Sequence, residues 1–349
     1  MTHIRKSNCR IISFLGIITI VAFGIVSTLG SGGGGGNGGT TVTPVEYTGL
    51  TTQALIDENN AQALGEVAFV GVTTGTSLSL VLGMESVSND NTFNPLVLPV
   101  TKSLYFATNE INKFSLYDTI PAGVDVPPIY GNCGGVLSGT MDVDMYGDFS
   151  GTMVFDKYCV DGLTMDGNVS VNGLCDPFDP YAGICEIDQI TMTFNNLNAS
   201  GFGESQTMSG TMDFNLTPTG YVAVLRNVLL RDDITNLTYK YVDYMITVTL
   251  DTPSGSDTLV ASGDVYHPDH GYVVVSVPLN KEVLFYSSTI YDTPYSGEVL
   301  LTGADGTEGA TTARFIFSAS ASFVLEIDTT GDGIPEFIFV CPWDTGLCT

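Results

Sequence analysis

Oxygen-bearing side chains are concentrated near the end of the chain. The stretch from Asp328 to Glu336 reads DTTGDGIPE, and its side-chain oxygens alternate along the chain at Asp328, Thr330 and Asp332, with Glu336 further on. Such oxygens are the ligands that Ca²⁺ takes in proteins, about six to eight at a time. Gly333 can adopt the backbone of a sharp turn. The chain therefore has a candidate calcium site at Asp328, Thr330, Asp332 and Glu336.

The same segment resembles the Asp/Gly-rich calcium loops of the EF-hand and dockerin type, with two departures. Thr330 stands where those loops have Asp or Asn, and Phe339 stands where the closing bidentate Glu would be. The flanking segments 323–327 and 336–340 are predicted strands. The alternative interpretation is therefore the turn of a β-hairpin that holds no ion.

Two of the three histidines are close together. His267 and His270 flank Pro268 and Asp269. A metal-binding or acid–base patch, assisted by Asp264 or Asp269, is one interpretation. The other is a hairpin turn whose polar side chains face water, and this composition favours the turn.

No recognised catalytic pattern occurs in the sequence. It contains no G-x-S-x-G, no H-E-x-x-H, no Walker loop and no Cys–His signature of a nucleophile. Pairs of acidic residues such as Asp142 and Asp144 alternate with apolar residues, which is typical of the wet face of a strand. We therefore predict no catalytic residues and a non-enzymatic protein.

Seven cysteines occur, and six of them follow the N-terminal segment: Cys133, Cys159, Cys175, Cys185, Cys341 and Cys348. An even number in an exported chain predicts disulfides. Nearness along the chain favours the pairs Cys133–Cys159, Cys175–Cys185 and Cys341–Cys348. The spacings do not fit the CxxC pairs of zinc sites.

The composition is low in charge and strongly acidic. Charged residues make up 14% of the chain and hydrophobic ones 44%. All 38 acidic residues follow Gly30, and eight of the 11 basic ones do, so this part carries a net charge of −30. Such a field repels nucleic-acid phosphates and anionic lipid headgroups, which excludes nucleic acid as a partner.

Residues 1–30 have the pattern of a targeting segment. Arg5, Lys6 and Arg10 precede an apolar run over residues 11–29, and small residues follow. This pattern predicts either a cleaved signal peptide or a retained N-terminal membrane anchor, with membrane attachment through residues 11–29 only. Ser31 stands where a lipoprotein would carry its acylated Cys. Residues 31–46 are predicted to be a Gly-rich linker.

The next segment, 47–128, is predicted to be helical and to pack on a sheet. One helix is expected from Asp57, as N-cap, to Gly71, as stop, and a second between residues 96 and 117. A Pro-rich connection over residues 121–128 is expected to separate them from the sheet.

From residue 129 to residue 349 the sequence period is two. The phrase Ser-Gly-Thr-Met occurs at residues 138–141, 150–153 and 209–212, and each copy leads into alternating polar and apolar residues. About a dozen strands separated by Gly, Asp, Asn and Pro turns follow. The predicted fold class is mainly β (α+β), a large curved antiparallel sheet with two N-terminal helices on it. The alternative is a β-sandwich or barrel. Strands such as 273–275 and 337–339 are apolar throughout, which predicts cover on both faces.

The order of these features resembles that of uncharacterised exported, lipoprotein-like proteins of Gram-negative bacteria. The matching residues are Thr52-Gln53-Ala54 with Asn60-Ala61 and Leu64, Cys133-Gly134-Gly135 with Cys159, and Asp328…Gly331-Asp332-Gly333 with Trp343. The resemblance implies export and a β-rich fold. It implies no activity.

These observations together predict an extracytoplasmic cell-envelope protein, periplasmic, surface-displayed or secreted, with a binding or structural role. One alternative is a periplasmic carrier of lipid or another hydrophobic ligand, which rests on the strands that are apolar on both faces. Another is an adhesin or surface assembly subunit. No cofactor is predicted apart from the candidate calcium ion, and the ligand or protein partner stays open.

Overall fold

The computed structural model describes residues 44–76, 124–144, 146–160, 162–179, 184–201, 203–250, 256–286, 294–318, 322–343 and 348. The predicted targeting segment, most of the predicted linker and the predicted second helix lie outside these residues. Within them the chain forms one helix, α1, and a 15-stranded sheet. The prediction of a mainly β fold with a large antiparallel sheet is confirmed. No helix in these residues is long and apolar enough to cross a membrane.

The elements follow one another in chain order. They are α1 (Ala61–Thr76), β1 (Val124–Tyr130), β2 (Gly134–Val143), β3 (Asp148–Val160), β4 (Leu163–Asp179), β5 (Ile184–Gly201), β6 (Glu204–Thr217), β7 (Gly220–Asp232), β8 (Leu237–Thr249), β9 (Ser256–His267), β10 (Gly271–Ser276), β11 (Val283–Tyr286), β12 (Gly297–Asp305), β13 (Ala310–Phe317), β14 (Ser322–Asp328) and β15 (Phe337–Pro342).

The sheet is an open meander. Each strand pairs antiparallel with its neighbours in sequence, except that β10 pairs with β12 and β11 pairs with β9. The strands thus form one open sheet and not the sandwich or barrel of the alternative prediction. The sheet begins at Val124, so the end of the predicted Pro-rich connection is strand. Proline is tolerated there because β1 is an edge strand and has a bulge between Val126 and Ile129.

The three Ser-Gly-Thr-Met phrases meet on one row of the sheet. In β2 to β6 the residues paired in register are Thr140, Thr152, Ser170, Thr193 and Thr211. The methionine of each phrase lies on the opposite face and is buried, with at most 4% of its surface exposed. The predicted alternation, hydroxyls outward and methionines in the core, is confirmed.

Helix α1 lies against the concave face of the curved sheet. It contacts β7, β8 and β9 and also β13, which is separated from β9 by two strands, so the sheet bends around the helix. The predicted core residues Ala61, Leu64 and Ala68 are buried. Tyr241 and Tyr244 donate hydrogen bonds from their hydroxyls to backbone carbonyls of the helix, at 3.1 and 2.9 Å.

The predicted N-cap of this helix is confirmed, and its predicted C-terminal end is wrong. Asp57 Oδ1 accepts hydrogen bonds from the N–H groups of Asn59 and Asn60 (2.8 and 3.0 Å), and the Asp57 carbonyl accepts one from the N–H of Ala61 (3.1 Å), which is the geometry of an N-cap. Gly71 does not stop the helix, which runs on to Thr76. A Cβ at Gly71 would lie 2.6 Å from the Tyr241 ring. Gly71 is therefore a point of close approach between helix and sheet.

A segment before the helix, residues 44–56, crosses one end of the sheet, and we call it the strap. Its backbone N–H groups donate from Val45 to the Asn196 side chain on β5 (2.8 Å) and from Ile56 to the Thr311 hydroxyl on β13 (3.0 Å). Between these points Leu50 donates to the carbonyl of Pro268 at 2.9 Å. The last residues of the predicted linker are thus packed against the sheet.

The expectation that both faces are covered is wrong at the strands that suggested it. Val274 is 37% exposed, Ile338 61% and Val340 48%, whereas Val273 and Val275 are buried. On the concave side of β15, Phe337 and Phe339 are half-buried against the core. Individual apolar residues on a wet face are common in folded proteins.

Two of the three predicted disulfides are present. Cys133–Cys159 joins the β1–β2 turn to β3, and Cys341–Cys348 closes the end of β15. Cys175 is disulfide-bonded as well. The side chain of its predicted partner, Cys185, lies outside the described residues, so that pairing stays a prediction.

Candidate functional site

The loop between β14 and β15 brings the four predicted calcium ligands together. Asp328, Asp332 and Glu336 each offer a carboxylate oxygen, and these three oxygens lie within 4.8 Å of one another. The Thr330 hydroxyl lies 2.9 Å from Glu336 Oε1 and 3.4 Å from Asp328 Oδ1. The two strands fix both ends of the loop.

Asp328 organises the loop backbone. Its Oδ1 accepts hydrogen bonds from the N–H groups of Thr330 (3.1 Å) and Gly331 (2.6 Å), and its Oδ2 accepts one from Gly333 (2.7 Å). Both glycines have a φ of 85°, which other residues rarely adopt. Burial of Asp328 opposes ionisation, but the backbone N–H groups outweigh it and lower the pKa of the carboxyl.

Glu336 closes the loop from its other end. Its Oε2 accepts hydrogen bonds from the Thr329 N–H (2.7 Å) and the Thr329 hydroxyl (3.2 Å). The backbone hydrogen bond from Thr329 is the main cause that lowers the pKa of Glu336. Asp332, which like Glu336 is exposed, accepts one hydrogen bond, from the N–H of Ile334 at 2.8 Å. Three carboxylates therefore converge on one point.

The β12–β13 turn packs against the β14–β15 loop, a contact that the sequence did not predict. The N–H groups of Glu308 and Gly309, in the β12–β13 turn, donate to the carbonyl of Thr330 at 2.8 and 3.2 Å. A Cβ at Gly306 would lie within 3.0 Å of this loop's backbone, so the glycine permits the contact. The carboxylates are consequently held by two hairpins.

The two histidines form a second cluster, at the β9–β10 turn. The His267 ring stacks on His270, with centroids 4.4 Å apart, and meets the Tyr239 ring edge-on at 5.6 Å. Only 7% of His267 is exposed, and its Nδ1 accepts a hydrogen bond from the Asp269 N–H at 3.1 Å. Asp264 lies three residues earlier on β9 and therefore on the opposite face.

Burial sets the ionisation of this cluster. It lowers the pKa of His267 to about 4, an effect that the nearby His270 reinforces. On α1, burial raises the pKa of Glu66. Burial, together with the carboxylates of Asp232 and Glu66, raises the pKa of Tyr239 to about 12. His267 is therefore neutral at pH 7, with Nδ1 acting as an acceptor within the turn, as the turn interpretation requires.

Acid should destabilise the protein through His267. Its folded pKa lies below the ordinary value of 6.5, so the unfolded chain binds the extra proton more readily. We expect the melting temperature to fall progressively as the pH drops from 6.5 towards 4. His267→Gln should flatten this slope, measured by thermal melts at fixed ionic strength. His270→Gln removes only the smaller contribution of the neighbouring ring and should flatten the slope less. Equal slopes in wild type and His267→Gln would contradict the assignment.

Comparison of the chain with protein-family models, curated proteins and solved structures gave no match. The feature of this chain that best indicates a function is the convergence of carboxylates at the β14–β15 loop.

Proposed function

We propose that this protein is an exported, non-enzymatic cell-envelope protein that binds Ca²⁺ in its β14–β15 loop. The observation that supports the ion is the approach of three carboxylate oxygens, from Asp328, Asp332 and Glu336, to within 4.8 Å. The N-terminal targeting pattern and the disulfides support export. The proposed role, binding or structural, is the one that the sequence predicts for a cell-envelope protein.

The chemistry of the loop favours calcium over other common ions. Its ligands are oxygens, whereas zinc sites use sulfur and nitrogen. Asp328 Oδ2 accepts a single hydrogen bond, from the N–H of Gly333, and therefore has a lone pair left for an ion. Irregular loops with several carboxylates suit the flexible coordination of Ca²⁺ better than the strict octahedron of Mg²⁺.

A calcium ion at this position would stabilise the last hairpin of the sheet. It would remove the mutual repulsion of three carboxylates and fix the last hairpin against the β12–β13 turn through Thr330. Calcium sites in extracellular modules bind with dissociation constants of about 10⁻⁴ to 10⁻³ M. That range suits an envelope protein, which meets more calcium than a cytosolic one.

The carrier alternative receives less support than it did from the sequence. Its basis was strands apolar on both faces, and Val274 and Ile338 are exposed. The concave side at β7 to β9 and β13 is filled by α1, whose glycines Gly65 and Gly71 lie directly against aromatic rings. In this part of the interior the helix takes the place of a ligand. No contact among the described residues specifically favours the adhesin alternative.

Calcium binding is tested by titrating CaCl₂ into the full chain, held in mild detergent because of residues 11–29. We expect binding heat with a dissociation constant of about 10⁻⁴ to 10⁻³ M and a rise in melting temperature. Asp332→Asn should abolish both. The asparagine Oδ1 can still accept the Ile334 N–H, so the turn should survive.

The matched control is Glu308→Gln, which removes an exposed carboxylate from the neighbouring turn and should bind calcium like the wild type. If millimolar calcium produces no binding heat and no shift in melting temperature, the site is refuted. An unchanged affinity in Asp332→Asn would show that any bound calcium lies elsewhere.

A further inference from the structure

The last strand, β15, leaves one edge of the sheet open. It pairs with β14 on one side, and no strand among the described residues pairs with its other side. Such an edge presents a row of unpaired N–H and C=O groups. Next to this row the outward side chains of Ile338 and Val340 are 61% and 48% exposed.

The open edge lacks the usual protection against pairing. Folded proteins guard edge strands with charges, prolines or bulges. Residues 337–340 are Phe-Ile-Phe-Val, without a charge, in a chain that is otherwise strongly acidic. The opposite edge, β1, is guarded, because it contains Pro127, Pro128 and a bulge. In β15 the single proline, Pro342, stands at the last position.

We propose that β15 pairs antiparallel with β15 of a second copy of this chain, so that two sheets become one continuous sheet across a two-fold axis. The occupant of the edge is thus another copy. Ile338 would lie at the two-fold axis, opposite Ile338 of the second copy, and Val340 next to it would bury part of its outward face.

The distribution of charge permits a second copy at this strand and favours the antiparallel direction. The acidic loop of Asp328, Asp332 and Glu336 immediately precedes β15. Antiparallel pairing places the two acidic loops at opposite ends of the shared ladder, whereas parallel pairing would bring them side by side. The uncharged strand is the part of the edge where two copies with large negative charge meet with least repulsion.

The guarded edge limits the assembly to two copies. Head-to-tail pairing of β15 with β1 would build an open chain of molecules, and the prolines of β1 provide no N–H groups for that ladder. An interface that uses the same strand twice closes on itself. The structure therefore predicts a dimer and not a filament.

Sedimentation of the full chain in mild detergent tests the proposal. The wild type should sediment as a dimer at micromolar concentration. Ile338→Lys places two charges side by side at the two-fold axis and should raise the dimer dissociation constant at least about tenfold. Val154→Lys is the control, because Val154 is 43% exposed on the outer face of β3 and should leave the dimer intact.

A covalent trap gives an independent readout. Ile338→Cys, in a Cys9→Ser chain, should form a reducible dimer under mild oxidation, because opposite residues in an antiparallel pair have Cβ atoms about 4.5–5.5 Å apart. Val154→Cys should not. A monomeric wild type, a dimer that Ile338→Lys leaves unchanged, or assemblies that grow with concentration would each overturn the proposal.

Discussion

Replacing Gly71 by valine is expected to lower the free energy of unfolding by about 3 kcal/mol. The Tyr241 and Tyr244 rings lie where a side chain would begin, at 2.6 and 2.8 Å from an ideal Cβ. Both hydroxyls are hydrogen-bonded to carbonyls of α1, so the rings cannot move aside without breaking these bonds. Urea denaturation followed by circular dichroism measures the loss.

The matched control is Ala63→Val, at a half-buried position of the same helix. It introduces the same β-branched side chain without the clash. Ala63→Val loses about 0.5 kcal/mol of helix propensity, whereas Gly71→Val loses none because glycine is the poorer helix former, so the clash alone accounts for any greater loss at Gly71. If the two variants unfold at the same urea concentration, α1 does not pack on the sheet as described.

Replacing Asp328 by alanine should cost about 3 kcal/mol in the absence of calcium. The carboxylate is 5% exposed and accepts hydrogen bonds from three backbone N–H groups, which the variant would leave without their acceptor. The two glycines with positive φ would also lose the interaction that holds them in that conformation. Thermal and urea unfolding in EDTA measure the effect.

The pH dependence of this loss has a definite sign. The folded pKa of Asp328 is lowered, so its stabilisation is complete above the ordinary carboxyl pKa and disappears as the pH falls through the lowered value. Wild type and variant should therefore converge in strong acid. Asp305→Ala, at an exposed carboxylate near the β12–β13 turn, is the control. A constant difference between wild type and Asp328→Ala down to pH 2 would contradict the role given to the carboxylate.

Local sequence patterns predicted much of the fold. Alternation of polar and apolar residues depends only on neighbours in the chain, and it located the strands of the meander from β2 onward. The same holds for Cys133–Cys159 and Cys341–Cys348, whose partners are close in sequence. Gly71 was misinterpreted for the opposite reason, because its role depends on Tyr241 and Tyr244, about 170 residues later.

The site was predicted to a similar extent. Asp328, Thr330, Asp332 and Glu336 lie within nine residues, so their spacing alone indicated that their oxygens could meet. The contact of Thr330 with the β12–β13 turn depends on how two hairpins pack, and no local pattern indicates it. In the histidine cluster, Tyr239 and Glu66 come from distant elements and were missed.

The strap has a consequence for the order in which the protein folds. In the meander, strands that are adjacent in sequence pair with each other, so the sheet can grow hairpin by hairpin as the chain lengthens. The strap comes first in sequence, but its partner Asn196 is 151 residues from Val45, and Thr311 is 255 residues from Ile56. Closing such long loops is slow and entropically costly. The strap, although it comes first in sequence, therefore docks last, after nearly the whole sheet has formed.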